Sequence, residues 1–251
     1  PAVHSQLLTN MITTENGVMT AEQVENAVRP VNIHNPLTKI VALENTHNRH
    51  GGRVYPLDEI LRIRKIADKY GLLMHLDGAR IWNAHIATGI SLKDWSSPFD
   101  SISVCLSKGL GAPVGSMIIG SRQFIVKARR HRKLFGGAMR QVGILAAAGL
   151  YAIENNIARL AEDHANAKIL AEGLSKIKGF DIDPKEIQTN IVIVDISRIG
   201  KSPDEIIDIM KKYGVLAVSF GRTRIRFVTH LDISRDDCRR ALEIISKIKF
   251  D

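Results

Sequence analysis

Short apolar runs, each closing on polar or charged residues, recur along the first two-thirds of the chain. Lys39-Ile-Val-Ala-Leu-Glu-Asn-Thr46, Leu72-Leu-Met-His-Leu76, Ser101-Ile-Ser-Val-Cys-Leu-Ser107 and Val114-Gly-Ser-Met-Ile-Ile119 read as buried strands. Between the first two, Pro56 sits at a helix start, Asp58 and Glu59 occupy the first turn, and Gly71 ends the helix. Strands separated by helices of this length predict an α/β domain with a mostly parallel sheet covered on both faces.

A helical stretch is predicted from about Gly137 to Ile177, broken near Asn155-Asn156, with Leu160, His164, Ala167, Leu170 and Leu174 at helical spacing. The last segment changes character. Asn190–Asp195, Val215–Ser219 and Arg224–Val228 read as strands, and Pro203–Tyr213 and Ser234–Ile248 as helices. The expected division is a large domain over 1–160 and a small α+β domain over 161–251.

Composition narrows the class. Hydrophobic residues make up 45% and charged residues 24%, which excludes a disordered chain. The longest uncharged apolar stretch, Val142 to Ile153, falls short of the ~20 residues that span a bilayer. The first residues show no basic region followed by an apolar core, so no signal peptide is expected. Two cysteines, Cys105 and Cys238, form no disulfide framework, and a reducing, cytoplasmic setting is expected. The net charge of +9 is densest at Lys127-Ala-Arg-Arg-His-Arg-Lys133. That cluster reads as a solvated helical face, because no zinc-finger spacing, aromatic RNA-binding signature or basic heptad region accompanies it. Neither nucleic acid nor membrane is an expected partner.

Ligands of open α/β sheets sit beyond the carboxyl ends of the strands. Three such ends carry reactive groups: Glu44-Asn-Thr-His47, Asp77-Gly-Ala-Arg80 and Ser107-Lys108. Lys108 lies between an apolar strand and the flexible Gly109-Leu-Gly111, where partial desolvation would favour Schiff-base chemistry. Asp77, at a neighbouring strand end, suits a cationic ring nitrogen. Together they match the demands of pyridoxal 5'-phosphate. Arg80 offers a planar fork to a substrate carboxylate. A second arginine is expected on the strand Arg224-Ile-Arg226-Phe-Val228, where alternation puts Arg222, Arg224 and Arg226 on one face and leaves the choice open.

Leu43-Glu-Asn-Thr-His-Asn48, His75-Leu-Asp-Gly-Ala-Arg-Ile-Trp-Asn83, Cys105-Leu-Ser-Lys-Gly-Leu-Gly-Ala-Pro-Val-Gly115 and Gly136-Gly-Ala-Met-Arg-Gln141 together closely resemble the low-specificity L-threonine aldolases, and Arg226-Phe-Val-Thr-His230 fits the same pattern. The resemblance implies the aspartate-aminotransferase type of pyridoxal-phosphate fold and a homotetramer, a dimer of dimers with shared active sites. It makes Lys108 the Schiff-base lysine, Asp77 the partner of the pyridine nitrogen, and Arg80 with Arg226 the grip on the substrate carboxylate. His47 matches a histidine near the substrate hydroxyl, and Arg140 and Lys133 match basic residues that reach the cofactor phosphate. The family's chain begins well before the position matching Pro1. Its Gly/Thr phosphate loop and ring-stacking histidine have no counterpart here, so the large domain is expected to be incomplete at its N-terminal side.

The implied activity is pyridoxal-phosphate-dependent cleavage of L-threonine or L-allo-threonine to glycine and acetaldehyde. The rival readings are another amino-acid lyase or transferase of the same fold, or an inactive remnant acting as an interaction partner. No metal site is expected, since no cysteine or carboxylate completes a set with His47 and His50. His75, His230, Trp82 and Trp95 read as structural.

Overall fold

The computed structural model describes residues 2–250. Two short helices, α1 (Ala2–Ser5) and α2 (Ala21–Ala27), precede a four-stranded sheet of β1 (Ile40–Glu44), β2 (Leu73–Gly78), β3 (Ser101–Cys105) and β4 (Ser116–Gly120), in the order β1-β2-β3-β4. The connections carry α3 (Leu57–Tyr70) between β1 and β2, then α4 (Ile81–Thr88) and α5 (Leu92–Ser96) between β2 and β3. β1, β2 and β3 run parallel, as the sequence predicts, and β4 is antiparallel to β3. The loop from β3 to β4 is the reason: it holds no helix, and a parallel return needs a crossover of a dozen residues or more.

Val41, Leu43, Met74, Leu76, Ile102 and Val104 point to one face, where they pack with Ile60 and Ile63 of α3. The other face is not covered among the described residues, contrary to expectation. It carries Ile40 and Leu73, both exposed, and then Ala42, His75, Asp77, Ser101 and Ser103 towards the strand ends. Small and polar side chains there demand little burial.

Beyond β4 come α6 (Arg122–Leu134), α7 (Gly143–Asn156) and α8 (Leu160–Leu174). Helix starts at Gly143 rather than Gly137, because Gly136 and Gln141 both take positive φ, 76° and 49°. The basic cluster is an exposed face of α6, as expected. A second sheet, fully antiparallel, has the order β5-β7-β6: β5 (Ile191–Asp195), β6 (Val218–Ser219) and β7 (Arg224–Val228). The predicted strand at 215–219 shrinks to two residues because Val215 turns into the core just after Gly214. Its helices, α9 (Pro203–Lys212) and α10 (Arg235–Lys247), each start on a capping box, Ser202 with Glu205 and Ser234 with Asp237.

Three apolar clusters result: one under the large sheet, one around the small sheet, and a third of Leu106, Leu110, Ala112, Ala152 and Leu160 beneath the loop after β3. Among the described residues no helix is long and apolar enough to cross a membrane, and both cysteines are free and buried.

Candidate active site

The parallel strands deliver their carboxyl ends side by side, with Glu44 in register with Asp77 and Asp77 with Ser103. Gly78 permits this closeness, since a Cβ there would lie 3.0 Å from the Ser103 carbonyl oxygen and 3.2 Å from Ile102. Asp77 turns the chain out of the sheet by accepting at Oδ1 from the Ala79 N–H at 3.0 Å. Arg80 follows as the N-cap residue of α4.

Lys108 stands at the next strand end. Its loop is seated by the Gly111 N–H on the Lys108 carbonyl (2.9 Å), the Ala112 N–H on the Leu106 carbonyl (3.1 Å) and Asn156 Nδ2 on the Leu110 carbonyl (2.7 Å). Leu110 turns inward while Ser107 and Lys108 face out, so the Lys108 amine is exposed rather than partly desolvated as the sequence suggests.

The structure separates the three arginines that alternation leaves equivalent. Arg224 is exposed, whereas Arg226 is half-buried, with its guanidinium 5.0 Å from the centre of the Phe220 ring and Nη1 donating to Asn48 Oδ1 at 2.8 Å. Its Nε is buried without a partner. Arg80 makes no side-chain hydrogen bond or ion pair among the described residues. Burial works against its charge, the Glu44 carboxylate counters this, and Arg226 comes close enough to repel it. Two guanidinium groups thus converge with hydrogen-bonding capacity to spare, an arrangement that suits an anion.

His47 sits in a tight loop whose backbone closes on Arg53: the His47 N–H donates to the Arg53 carbonyl at 2.8 Å. Its ring lies 5.0 Å from that of His50, and Nε2 is 3.8 Å from Glu44 Oε2. Its Nδ1 is buried without a partner. Glu44 also accepts from the Asn48 N–H at 3.0 Å. Burial pushes the pKa of His50 down, and nearby cationic groups add to the shift.

Glu44, His47, Asp77, Arg80 and Arg226 therefore share one end of the sheet, with Lys108 on the adjoining loop. Lys133 and Arg140 lie elsewhere, on the exposed segment around the end of α6, with no hydrogen bond or ion pair among the described residues linking them to the cluster. His75 is a strand residue bonded to Ser101 Oγ at 2.8 Å, and Trp82 donates to the Cys105 carbonyl at 2.9 Å. No group of three or more metal-ligating side chains is found among the described residues. Of the two residues that fix Arg226, Phe220 lies outside the runs that carry the family resemblance, and Asn48 ends one of them without any sign of its task. Asn48 directly follows His47, and only the fold reveals it as the partner of a residue far along the chain.

The residues present fit pyridoxal phosphate by the chemistry of their donor set. Asp77 Oδ2 and Lys108 Nζ, from adjoining strand ends, have no protein partner among the described residues, and they suit the ring nitrogen and the aldehyde. A mostly parallel sheet with this strand-end constellation and an appended antiparallel domain defines the large class of aminotransferase-like folds. Thermus thermophilus aspartate aminotransferase, in a solved mutant form, superposes with a TM-score of 0.66 at 16% identity, over 92% of this chain and 63% of that one. Leishmania major threonine aldolase gives a TM-score of 0.74 at 20% identity, over 94% of this chain and 69% of that one.

Sequence comparison is more specific. The family model for beta-eliminating lyases matches residues 1–197. The chain is 43% identical to Probable low-specificity L-threonine aldolase 2 of Arabidopsis thaliana, over 98% of this chain and 69% of the relative. It is also 43% identical to Low specificity L-threonine aldolase of Escherichia coli K12, over 88% of this chain and 63% of the relative. The chain belongs to the beta-eliminating lyase family, within its group of low-specificity threonine aldolases. It spans about two-thirds of the length of these curated relatives.

Proposed function

We propose that the protein cleaves L-threonine and L-allo-threonine to glycine and acetaldehyde with pyridoxal phosphate. The observation that carries this reading is the convergence of Arg80 and Arg226, two guanidinium groups that form no ion pair among the described residues, beside Asp77 and the Lys108 loop.

Lys108 would hold the aldehyde carbon of the cofactor and Asp77 its ring nitrogen, while Lys133 and Arg140, which lie outside this cluster, would reach the phosphate in a neighbouring subunit's site. Pyridoxal phosphate, when bound, supplies the sink for the electron pair released at Cα. The chain's residues do the rest. Arg80 and Arg226 bind the substrate carboxylate and so fix the orientation of the Cα–Cβ bond. His47, backed by Glu44, accepts the hydroxyl proton, which lets the hydroxyl-bearing carbon leave as acetaldehyde. A proton returned to Cα completes glycine.

The same reading places the protein in the cytoplasm, in amino-acid metabolism that consumes threonine and supplies glycine. It also includes a homotetramer with shared active sites. Exposed apolar residues of β4 and the helices beyond it, Met117, Ile118, Ile119, Phe135 and Leu150 among them, support self-association.

The test is acetaldehyde release from L-threonine, measured with no keto acid present. Wild type should release acetaldehyde and glycine in equal amounts, and Lys108→Ala should release none. A keto-acid requirement would assign the site to a transferase instead.

A further inference from the structure

Between the two sheets lies a chain of buried polar groups that the reading above does not use. Asn83, in the first turn of α4, is 3% exposed, and its amide nitrogen donates two hydrogen bonds, to His164 Nε2 and to Asn190 Oδ1, both at 3.1 Å. Asn190 passes the interaction on: its Nδ2 donates to the Thr229 carbonyl at 2.9 Å, and its own carbonyl accepts the Thr229 N–H at 3.1 Å. Thr229 Oγ1 donates to the Asp163 carbonyl at 2.6 Å, closing the circuit on α8.

The ends of this circuit are the two arginines. The Asn83 N–H donates to the carbonyl of Arg80 at 3.0 Å, and Thr229 lies three residues beyond Arg226 at the end of β7. The Lys108 loop rests on the same point, since a Cβ at Gly109 would lie 2.8 Å from Leu160 and 3.7 Å from Asn83 Oδ1. The Asn83 and Asn190 amide nitrogens and the Thr229 hydroxyl each meet an acceptor, so a shift of one element leaves polar groups unpaired. We propose that Asn83 is a positioning residue that sets the spacing of Arg80 and Arg226, and thereby the affinity of the site for amino-acid carboxylates. The proposal rests on the threonine-cleaving reading.

The two ideas are separated by titrating the cofactor-loaded protein with glycine and with methylamine, which has the amine and lacks the carboxylate. In Asn83→Ala the Kd for glycine should rise about tenfold or more while that for methylamine stays within about twofold, because only a carboxylate senses the arginine spacing. Thermal unfolding run alongside shows whether the variant is folded. A second pair covers a variant that is not. His164→Gln keeps an acceptor for Asn83 and should retain glycine affinity, while His164→Leu removes the acceptor and should lose it. Equal loss of both ligands in the folded variants overturns the role of Asn83 alone. A wild-type protein that binds neither ligand overturns the functional reading together with it.

Discussion

Arg226 on β7 and Asn48 beside β1 are 178 residues apart and share a 2.8 Å hydrogen bond. The bond draws a small-sheet guanidinium over the carboxyl end of the large sheet, where Arg80 stands. With Phe220 under its plane, Arg226 can swing little, so Asn48 decides which way its remaining N–H groups point. Asn48→Ala should raise KM for threonine roughly tenfold with a smaller change in kcat, since a hydrogen bond to a charged group contributes about 1.5–3 kcal/mol. Steady-state kinetics check this, and an unchanged KM would deny Asn48 the role.

Arg80 faces the same anion with a planar fork that lysine lacks. Arg80→Lys keeps the charge and removes the two-pronged geometry, so KM should rise roughly tenfold or more. An equal loss confined to kcat would move Arg80 from binding the carboxylate to the chemistry itself.

Much of this site was legible in the sequence, and the reasons are local. Asp77, Arg80 and Lys108 follow apolar runs that could only be strands, so their place at strand ends follows from chain order. Arg226 is different: alternation treats it like Arg222 and Arg224, and the choice is made by Asn48 and Phe220, which other elements bring in. The direction of β4 depends on a loop too short for a crossover, not on the apolar run that marks the strand. Asn83 ends a run that matches the family, but its task shows only when the small domain supplies Asn190 and Thr229. The exposure of Lys108 depends on the inward turn of Leu110, which the glycine-rich run does not reveal.

The His47 loop offers a test of backbone geometry. Gly52 has φ of +71°, and a Cβ there would collide with Thr189 Oγ1, which donates to the Gly52 carbonyl at 2.8 Å. Gly52→Ala should cost roughly 2–4 kcal/mol from left-handed strain and the displaced hydroxyl. A Tm within a degree of wild type would show that neither the left-handed backbone nor the Thr189 contact resists a side chain at this position.

β4 presents Met117, Ile118 and Ile119 to solvent, each at least 40% exposed. If self-association covers this strand, Ile118→Lys should lower the mass in solution by breaking the contact, as a buried unpaired charge would be costly. Light scattering after gel filtration reads the mass. An unchanged oligomer would place the contact elsewhere.

His164 ties the site to pH. Burial pushes its pKa from 6.5 down to about 4, and its Nε2 accepts from Asn83, so the folded protein holds the ring neutral. The unfolded chain binds the proton more readily between these values, so the stability present above pH 6.5 is lost as pH falls towards 4. The difference corresponds to about 3 kcal/mol when the window has been crossed. His164→Gln keeps the acceptor and does not titrate. Its stability should therefore fall less than that of wild type over this range, by about the same amount. Urea unfolding at intervals across the window measures both slopes, and parallel slopes would show that His164 is not the group responsible.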